Sequence, residues 1–376
     1  MLSQFDRLTK ILAKSLDLDG DNLVASFRLA DIDDIPKITA LRCRVFSRLV
    51  KEDDERYLRW RYFDRPGFSS TMWVFDFSHQ IIAALGTEPV ELSHDGDIEP
   101  ALRNMDISVD PKYDGRGLGA WMALAMQNQN NCILVTGGNK NSFSMLNKLF
   151  TALPVRKTFK IILHSRFYLG QKFHNPFISG LISPLFDFAF KSYLKIKWLS
   201  KDLPENLSLV VFSGVGELLD LIVDPVGCLA EVKVVRSKAY LKWRYVDKPG
   251  CQFRAIGVLD EGKLLAYAIY IIENGKDPGA IREGKIVDWY INSKANATQV
   301  LASLFIAATK DMKKRGTDEI LLVLNDNISE QAAVSAGFIF RDLQSDFFVY
   351  HCKLTDSSHI FSPDAWYQSF GDSDSL

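Results

Sequence analysis

Along the chain the apolar residues change period in a regular order. Leu23-Val-Ala-Ser-Phe-Arg-Leu29 has the two-residue alternation of a strand. Asp31, Asp33 and Asp34 then offer capping oxygens ahead of Ile35, Ile38, Leu41, Val45 and Phe46, which share one helical face. Met72–Phe77 and Gln80–Gly86 read as two strands around a Ser78-His79 turn, with a polar turn at His94–Asp97. Asp106–Val109 reads as a further strand ended by Asp110-Pro111. Gly115, Gly117 and Gly119 follow, and then the helical run Trp121–Met126. In the second half, Ala255–Leu259 and Lys263–Ile271 flank the turn Asp260-Glu-Gly262. Val300, Leu301, Leu304, Phe305, Ala308 and Met312 define a helix, and Glu319–Leu324 reads as a buried strand. Strands interleaved with helices predict an α/β (α+β) fold.

The order of elements in the second half repeats that of the first. Tyr240-Leu-Lys-Trp-Arg-Tyr-Val-Asp-Lys-Pro-Gly250 restates Tyr57-Leu-Arg-Trp-Arg-Tyr-Phe-Asp-Arg-Pro-Gly67 at an offset of 183 residues, with changes only at the third, seventh and ninth places. Lys285–Lys294 aligns with Arg103–Lys112, setting Asp288 opposite Asp106, and Asn327 lies opposite Asn141 at a similar offset. Landmarks at nearly constant spacing identify a tandem duplication. The halves differ where chemistry belongs. DPKYDGRGLGA follows the central strand of the first half, and NSKANATQVLA, with no glycine, follows that of the second.

Composition narrows the class. At 376 residues the chain exceeds one ordinary core, and 47% hydrophobic with 24% charged residues is usual for a globular protein. A formal charge of −1 gives no whole-molecule field for nucleic acid or an anionic membrane. The five scattered cysteines form no CxxC pair, so reduced thiols and a cytoplasmic location are expected, without a disulfide framework or a cysteine zinc site. Residues 1–22 read as an amphipathic leader helix, and no run is long and apolar enough to span a membrane. Ser165–Asn206 is aromatic and contains Leu181–Trp198. A helix packed between the domains is expected there in preference to a membrane-surface helix, since Lys191, Lys195 and Lys197 make a small basic face and Asp187 interrupts it. The acidic, Ser-rich end from Ser362 is expected to be loose. The expected organisation is therefore a leader (1–22), a first domain (23–165), a linker (166–205), a second domain (206–353) and a tail (354–376).

Strand, glycine turn and helix N-terminus at Asn104–Ala120 make a phosphate cradle, because glycines let the backbone approach a ligand and the first helical amides point at anions. No GxxxxGK[ST] string occurs. The GxGxG spacing, on a central strand with no acid near Ala125–Asn131, does not fit a dinucleotide fingerprint. Val109-Asp-Pro-Lys-Tyr-Asp-Gly-Arg-Gly-Leu-Gly119 instead resembles the acyl-CoA motif of the GNAT acyltransferases, V-x-P-x-[YH]-[RQ]-G-x-G-[IL]-[GA]. Phe27–Asp34, Cys132–Asn141 and Asp326–Phe338 resemble other segments of that family. Asp114 departs from it, standing where the family has Arg or Gln.

The resemblance implies two tandem GNAT domains, each a mixed, mostly antiparallel sheet with splayed central strands. It implies an acetyl-CoA, longer acyl-CoA or acyl-carrier-protein thioester as donor, held by Ser108, Val109, Gly115, Arg116, Gly117, Leu118, Gly119, Ala120, Asn139 and Asn141. Amide formation needs a neutral amine and a proton for the departing thiolate. Asp106, on the strand face of Ser108, is the family-like base or else a structural aspartate, and Asp288 is its second-half alternative. The family's tyrosine acid would fall at Leu146 or Lys148, so His164 and the tyrosines of Tyr57–Tyr62 are the substitutes. Trp60, Arg61 and Tyr62, with Trp289 and Tyr290, are candidates to clamp an acceptor. Because WRY occurs in both halves, a fold-determining role is the favoured reading for it. His79, His94, His174, His351 and His359 show no metal-ligand spacing, and no metal is expected. The arrangement is similar to bacterial GNAT proteins of surface-polysaccharide (lipopolysaccharide) pathways, which implies a small amine acceptor, a dTDP- or UDP-linked amino sugar. An aminoacyl- or antibiotic-type acyltransferase and a non-catalytic acyl-CoA sensor are the alternatives.

Overall fold

A computed structural model describes residues 3–46, 54–94, 96–138, 140–173, 176–199, 203–223, 230–275, 281–292, 295–354 and 358–373. The first half runs α1 (Gln4–Leu16), α2 (Gly20–Ala25), β1 (Phe27–Leu29), α3 (Ile35–Val45), α4 (Glu55–Tyr62), β2 (Met72–Phe77), β3 (Gln80–His94), β4 (Asp97–Val109), α5 (Leu118–Gln129), β5 (Cys132–Thr136), α6 (Lys140–Leu149) and β6 (Thr151–Leu153). β7 (Arg156–Ile162), α7 (Arg166–Phe173) and α8 (Pro176–Trp198) lead to the second half. That half comprises β8 (Leu207–Phe212), α9 (Val215–Leu219), β9 (Lys233–Val234), α10 (Lys238–Leu241), β10 (Arg254–Asp260), β11 (Lys263–Asn274), β12 (Arg282–Ile291), α11 (Ala297–Lys314), β13 (Glu319–Leu324), α12 (Asn327–Ala336), β14 (Ile339–Gln344) and β15 (Phe347–His351). The expected first strand is shorter at its start. Asp19 accepts the Asn22 amide at 2.7 Å and caps α2, drawing Leu23–Ala25 into a helix. Both hairpin turns form as read, with left-handed backbone at Ser78-His79 and at Glu261-Gly262, a twist that matches paired strands.

Two mixed sheets result, with strand orders β1-β2-β3-β4-β5-β15-β6 and β14-β7-β13-β12-β11-β10-β8, and β9 beside β3. The sheets trade a strand: β7 inserts between β13 and β14, and β15 between β5 and β6. Each sheet is thus completed by chain from the other half. In the first sheet β4 and β5 run parallel through Leu102↔Ile133, Arg103↔Leu134 and Asn104↔Val135, and share no further pair among the described residues. β4 continues to Val109 beside β3 alone, so the strands splay. β12 and β13 part in the same way after Ile286↔Leu322.

The duplicated WRY segments meet at the seam. Trp60 Nε1 donates to the carbonyl of Trp243 at 2.9 Å, Trp243 Nε1 donates to the carbonyl of Trp60 at 3.1 Å, and the rings stack at 5.1 Å and 19°. Arg65 lies 4.3 Å from the Trp243 ring centre, and its counterpart Lys248 lies 5.4 Å from that of Trp60. Arg61 and Arg244 reach opposite halves' shared anion, Glu88, at 3.3 and 3.6 Å, and Arg103 reaches it at 2.7 Å. Burial alone would push the Glu88 carboxyl up; Arg103, Arg61 and Arg65 outweigh burial and hold it below its ordinary value.

Two expectations are corrected. The tail is not loose among its described residues: Trp366 is fully buried, Asp372 pairs with Arg103 at 3.0 Å and Arg236 at 2.8 Å, and Arg244 donates to the Ser373 carbonyl. Its Trp366 and Tyr367 supply apolar burial that its acidic composition masks. Residues 366–368 bridge β12 and the residue after β13, through Tyr367 to Trp289 and through Asn325 to Trp366 and Gln368. They fill the second splay and leave a void of about 10 Å³. Nor does α8 bury its large apolar residues between the halves: its buried positions are Ser179, Ser183 and Leu194.

Removing an indole of this size typically costs about 3–5 kcal/mol. Trp60→Ala and Trp243→Ala are each expected to lose about that in denaturant unfolding. Because the two rings share stacking and hydrogen bonds, the double variant is expected to lose about 1–3 kcal/mol less than the sum. Strict additivity would mean that the exchange contributes no coupling.

Candidate active site

Where β4 leaves β5 it carries a bulge. Ser108 pairs with Ala84 and Met105 with Gly86, so Asp106 and Ile107 face a single partner residue, and Asp106 takes a left-handed backbone with φ of 51°. The bulge turns the Asp106 carboxylate toward α4, where the Tyr62 phenol donates a hydrogen bond to it, and Arg42 Nη1 stands 3.9 Å away. Burial first, and then the Asp106 charge, push the Tyr62 phenol far above its ordinary pKa, so Tyr62 stays a proton donor to Asp106. The approach requires Gly86, since a Cβ there would stand 2.5 Å from the Tyr62 oxygen. Asp106 keeps 22% side-chain exposure.

The cradle opens just beyond. Pro111–Tyr113 make a single tight turn, Asp110 accepts the Lys112 amide at 3.0 Å, and Gly115 and Gly117 both have positive φ. Gly117 caps α5 with no side chain of its own, and Gly119 lies against Ile107 and Val109. The amides at the start of α5 have no acceptor within the helix and point along its axis, the arrangement that holds a diphosphate. Asp114 folds back so that its Oδ1 accepts the Gly115 amide at 2.8 Å, occupying one donor of the cradle. Leu118 is buried and offers only its backbone, while Ala120 sits in the first turn. Arg116 is turned to the Ser15 carbonyl at 3.3 Å and over the Tyr113 ring, away from the position expected of it. The leader helix α1 flanks the cradle through Trp121 Nε1 to Thr9 at 2.8 Å and Phe5 stacked on Trp121.

The structure thus gathers Asp106, Ser108, Val109 and Gly115–Ala120 at one splay, with Ser108 Oγ buried and without a partner. Asn139 lies outside the described residues, and only the backbone of Asn141 is described, in the first turn of α6. The other candidates are elsewhere. Asp288 is fully buried and accepts from Arg236 at 2.9 Å, Tyr245 at 2.8 Å and Tyr367 at 2.7 Å; burial pushes its carboxyl up against the pull of Arg236. Fully buried and held by these three side chains, it is a structural anion with no opening to an amine. His164 follows β7 in the second sheet, 3.6 Å from Asp187, and is not brought to Asp106. Trp60, Arg61, Trp289 and Tyr290 are buried in the seam and the second core: Trp289 donates to Ser329 at 3.1 Å and Tyr290 stacks on Tyr267. They hold the fold together and offer no face to an acceptor. Of the WRY residues, Tyr62 alone touches the site, through Asp106.

Three features escaped the sequence reading as parts of a site. Asn104, at the last parallel pair before the splay, is buried with neither end of its carboxamide partnered; its one signal was a polar residue in an apolar strand. Arg42 gave none. A third feature is His94, Glu99 and His351, brought together with Glu99 Oε1 2.8 Å from His94 Nε2 and 2.9 Å from His351 Nε2. The Lys353 amide donates to His351 Nδ1, so the ring proton sits on Nε2 and is given to Glu99. In that state the trio ties the β3–β4 hairpin to β15 by hydrogen bonds rather than offering a free ligand nitrogen.

No protein-family sequence model matches the chain, and no curated protein matches it in sequence. Solved structures do match in fold. A conserved Enterococcus faecalis V583 protein of unknown function, a probable N-acyltransferase, aligns with TM-score 0.56 at 12% identity over 87% of this chain and 73% of its own. Saccharomyces cerevisiae N-myristoyltransferase with bound myristoyl-CoA aligns with TM-score 0.54 at 12% identity, over 86% and 82%. A GCN5-related N-acetyltransferase from Anabaena variabilis ATCC 29413 aligns with TM-score 0.53 at 12% identity, over 86% and 71%. The chain therefore has the tandem GNAT fold that the sequence resemblance implied.

Gly86→Ala is expected to displace Tyr62 from Asp106 and to cost about 1–3 kcal/mol of stability, as overpacking does. Tyr62→Phe in the same background should then cost little more. A full further loss on adding Tyr62→Phe, read by denaturant unfolding, would show that the hydrogen bond had survived. Asp114→Ala frees the Gly115 amide and removes a charge from the cradle, and is expected to tighten CoA binding about tenfold by calorimetry.

Proposed function

We propose that this protein is an N-acyltransferase that moves an acyl group from a pantetheine thioester to a primary amine. The observation that carries the reading is the pairing of a partly exposed, Tyr62-held carboxylate on the β4 bulge with a positive-φ glycine cradle one strand-end away. Acyl-CoA is the favoured donor. The α5 amides and Gly115–Gly119 suit its diphosphate, and the splay between β4 and β5 suits an extended pantetheine arm, as the myristoyl-CoA bound by the yeast structure of the same fold supports. An acyl-carrier-protein thioester is the second donor reading, favoured by Asp114, which occupies a cradle amide that only a diphosphate would need.

Asp106 acts on the amine. It takes the proton that leaves the ammonium, the neutral nitrogen attacks the thioester carbonyl, the C–N bond forms and the C–S bond breaks. The proton shed by the new amide nitrogen neutralises the thiolate. Tyr62 fixes the carboxylate rotamer and stays protonated throughout.

For the acceptor we retain a small amine, with a dTDP- or UDP-linked amino sugar as the specific reading. A cavity of about 740 Å³ lies at the seam, lined by Arg65, Trp243, Tyr240, Phe68 and Glu91, but it sits at the ends of β4 and α5 away from the cradle, beside Leu102 and Gln129–Asn131, so the acceptor reading rests on the sequence resemblance. That volume lies within the usual range for small-molecule sites.

The test is thiol release from acetyl-CoA and longer acyl-CoAs with a panel of amines that includes nucleotide-linked amino sugars. Asp106→Asn is expected to lower kcat by about 10²–10⁴-fold with donor affinity unchanged. Gly115→Glu, whose Cβ would meet no neighbour within 4 Å but whose φ of 72° strains any side chain, is expected to abolish the protection that CoA gives against thermal unfolding, with the unliganded midpoint measured alongside to separate strain from lost binding. Wild-type protein that binds CoA tightly and turns over no amine would point instead to an acyl-CoA sensor.

A further inference from the structure

α8 is built inside out. Its buried positions are two serines and a leucine, whereas Phe177, Leu181, Leu185 and Phe188 are 70–78% exposed. At spacings of four, four and three residues these four form one stripe, which Ile196 and Leu199 extend at the far end. The stripe is roughly 33 Å long at 1.5 Å per residue. The four central side chains alone expose on the order of 600 Å² of apolar surface, the size of the largest patch on an ordinary monomer, before Ile178 at its edge is added. Phe167 and Phe173 of α7, which packs beside α8, are exposed as well.

The charge around the stripe is one-sided. Residues 166–199 carry Arg166, Lys172, Lys191, Lys195 and Lys197 against the single acid Asp187, in a chain whose formal charge is −1. Asp187 does not stand on the exposed face. It turns inward, accepts the Ser165 amide at 2.7 Å and lies beside His164. Lys191 and Lys195 are exposed next to Phe188 and Ile196. An apolar stripe flanked by lysines, on a helix whose only acid is withdrawn, is the chemistry of a helix that lies in the headgroup region of an anionic bilayer. Among the described residues no helix is long and apolar enough to cross a membrane, so α8 would lie on the surface and not span it.

We infer that the α7–α8 hairpin docks this protein on an anionic lipid surface, with Phe177, Leu181, Leu185 and Phe188 entering the headgroup–acyl boundary and Lys191 and Lys195 on the lipid phosphates. The inference stands independently of the acyltransferase reading.

Flotation of the full chain with phosphatidylcholine vesicles, with and without phosphatidylglycerol, tests it. The wild type is expected to float with the phosphatidylglycerol vesicles and to release as salt is raised. Leu181→Ser combined with Leu185→Ser and Phe188→Ser is expected to lower binding about tenfold or more while leaving the thermal midpoint in place, since these side chains touch little of the protein. Lys191→Glu with Lys195→Glu is expected to abolish the preference for phosphatidylglycerol. Failure to float on either vesicle overturns the inference, as does flotation that the triple serine variant leaves unchanged. A wild-type dimer in sedimentation velocity that the same variant makes monomeric would also overturn it, by assigning the stripe to a second copy of the chain.

Discussion

Trp60 and Trp243 each give an indole N–H to the other's backbone carbonyl, and the two rings stack between those bonds. Such an exchange needs two equivalent segments facing each other about a near two-fold axis, which is what a duplicated chain provides. Once the indoles are paired, Arg61 and Arg244 come from opposite sides to one buried carboxylate, Glu88, and the cations Arg65 and Lys248 cover the outer ring faces. Buried guanidiniums are costly without an anion, so Glu88 and Asp372 are obligatory partners of this seam. The traded strands β7 and β15 extend the same constraint, because neither sheet is complete without the other half.

The seam explains how two equal strand aspartates acquire different fates. Each is met by the tyrosine of its own WRY segment, Tyr62 at Asp106 and Tyr245 at Asp288. In the second half, Arg236, Tyr367 and the tail close over Asp288 and fill the splay beside it. In the first half β4 and β5 part after Asn104↔Val135, ahead of the glycine turn, and Asp106 keeps a partly exposed edge. The glycines are needed only where a ligand must approach the backbone, so their loss after β12 accompanies a splay that the protein fills itself.

The parts legible in the sequence were those fixed by local pattern. Each WRY segment, the hairpin turns, the glycine turn at the start of α5 and the leader helix rest on residues within a few positions of one another, and the repeat itself on the constant offset between copies. The strand trade was not legible, since β7 and β15 have the same alternation whichever sheet receives them. The burial of Asp288 depends on Arg236 and Tyr367, both more than 50 residues away. The tail misled because its acidic, Ser-rich composition hides one tryptophan and one tyrosine that carry the burial. α8 misled in the opposite sense: its pattern shows an apolar stripe, but nothing in a pattern tells which side of the stripe the protein lies on. Tyr62 was one of several tyrosines until the bulge at Asp106 and the absent side chain of Gly86 brought it to the carboxylate.

The central claim is that the first splay alone receives a pantetheine thioester, beside Asp106. A crystal structure with bound CoA tests it most directly. The diphosphate is expected on the amides at the start of α5 and the pantetheine arm between β4 and β5, with its sulfur toward Asp106 and no ligand at the tail-filled second splay. CoA bound in the seam cavity or displacing the tail beside Asp288, with the first splay empty, would contradict the account.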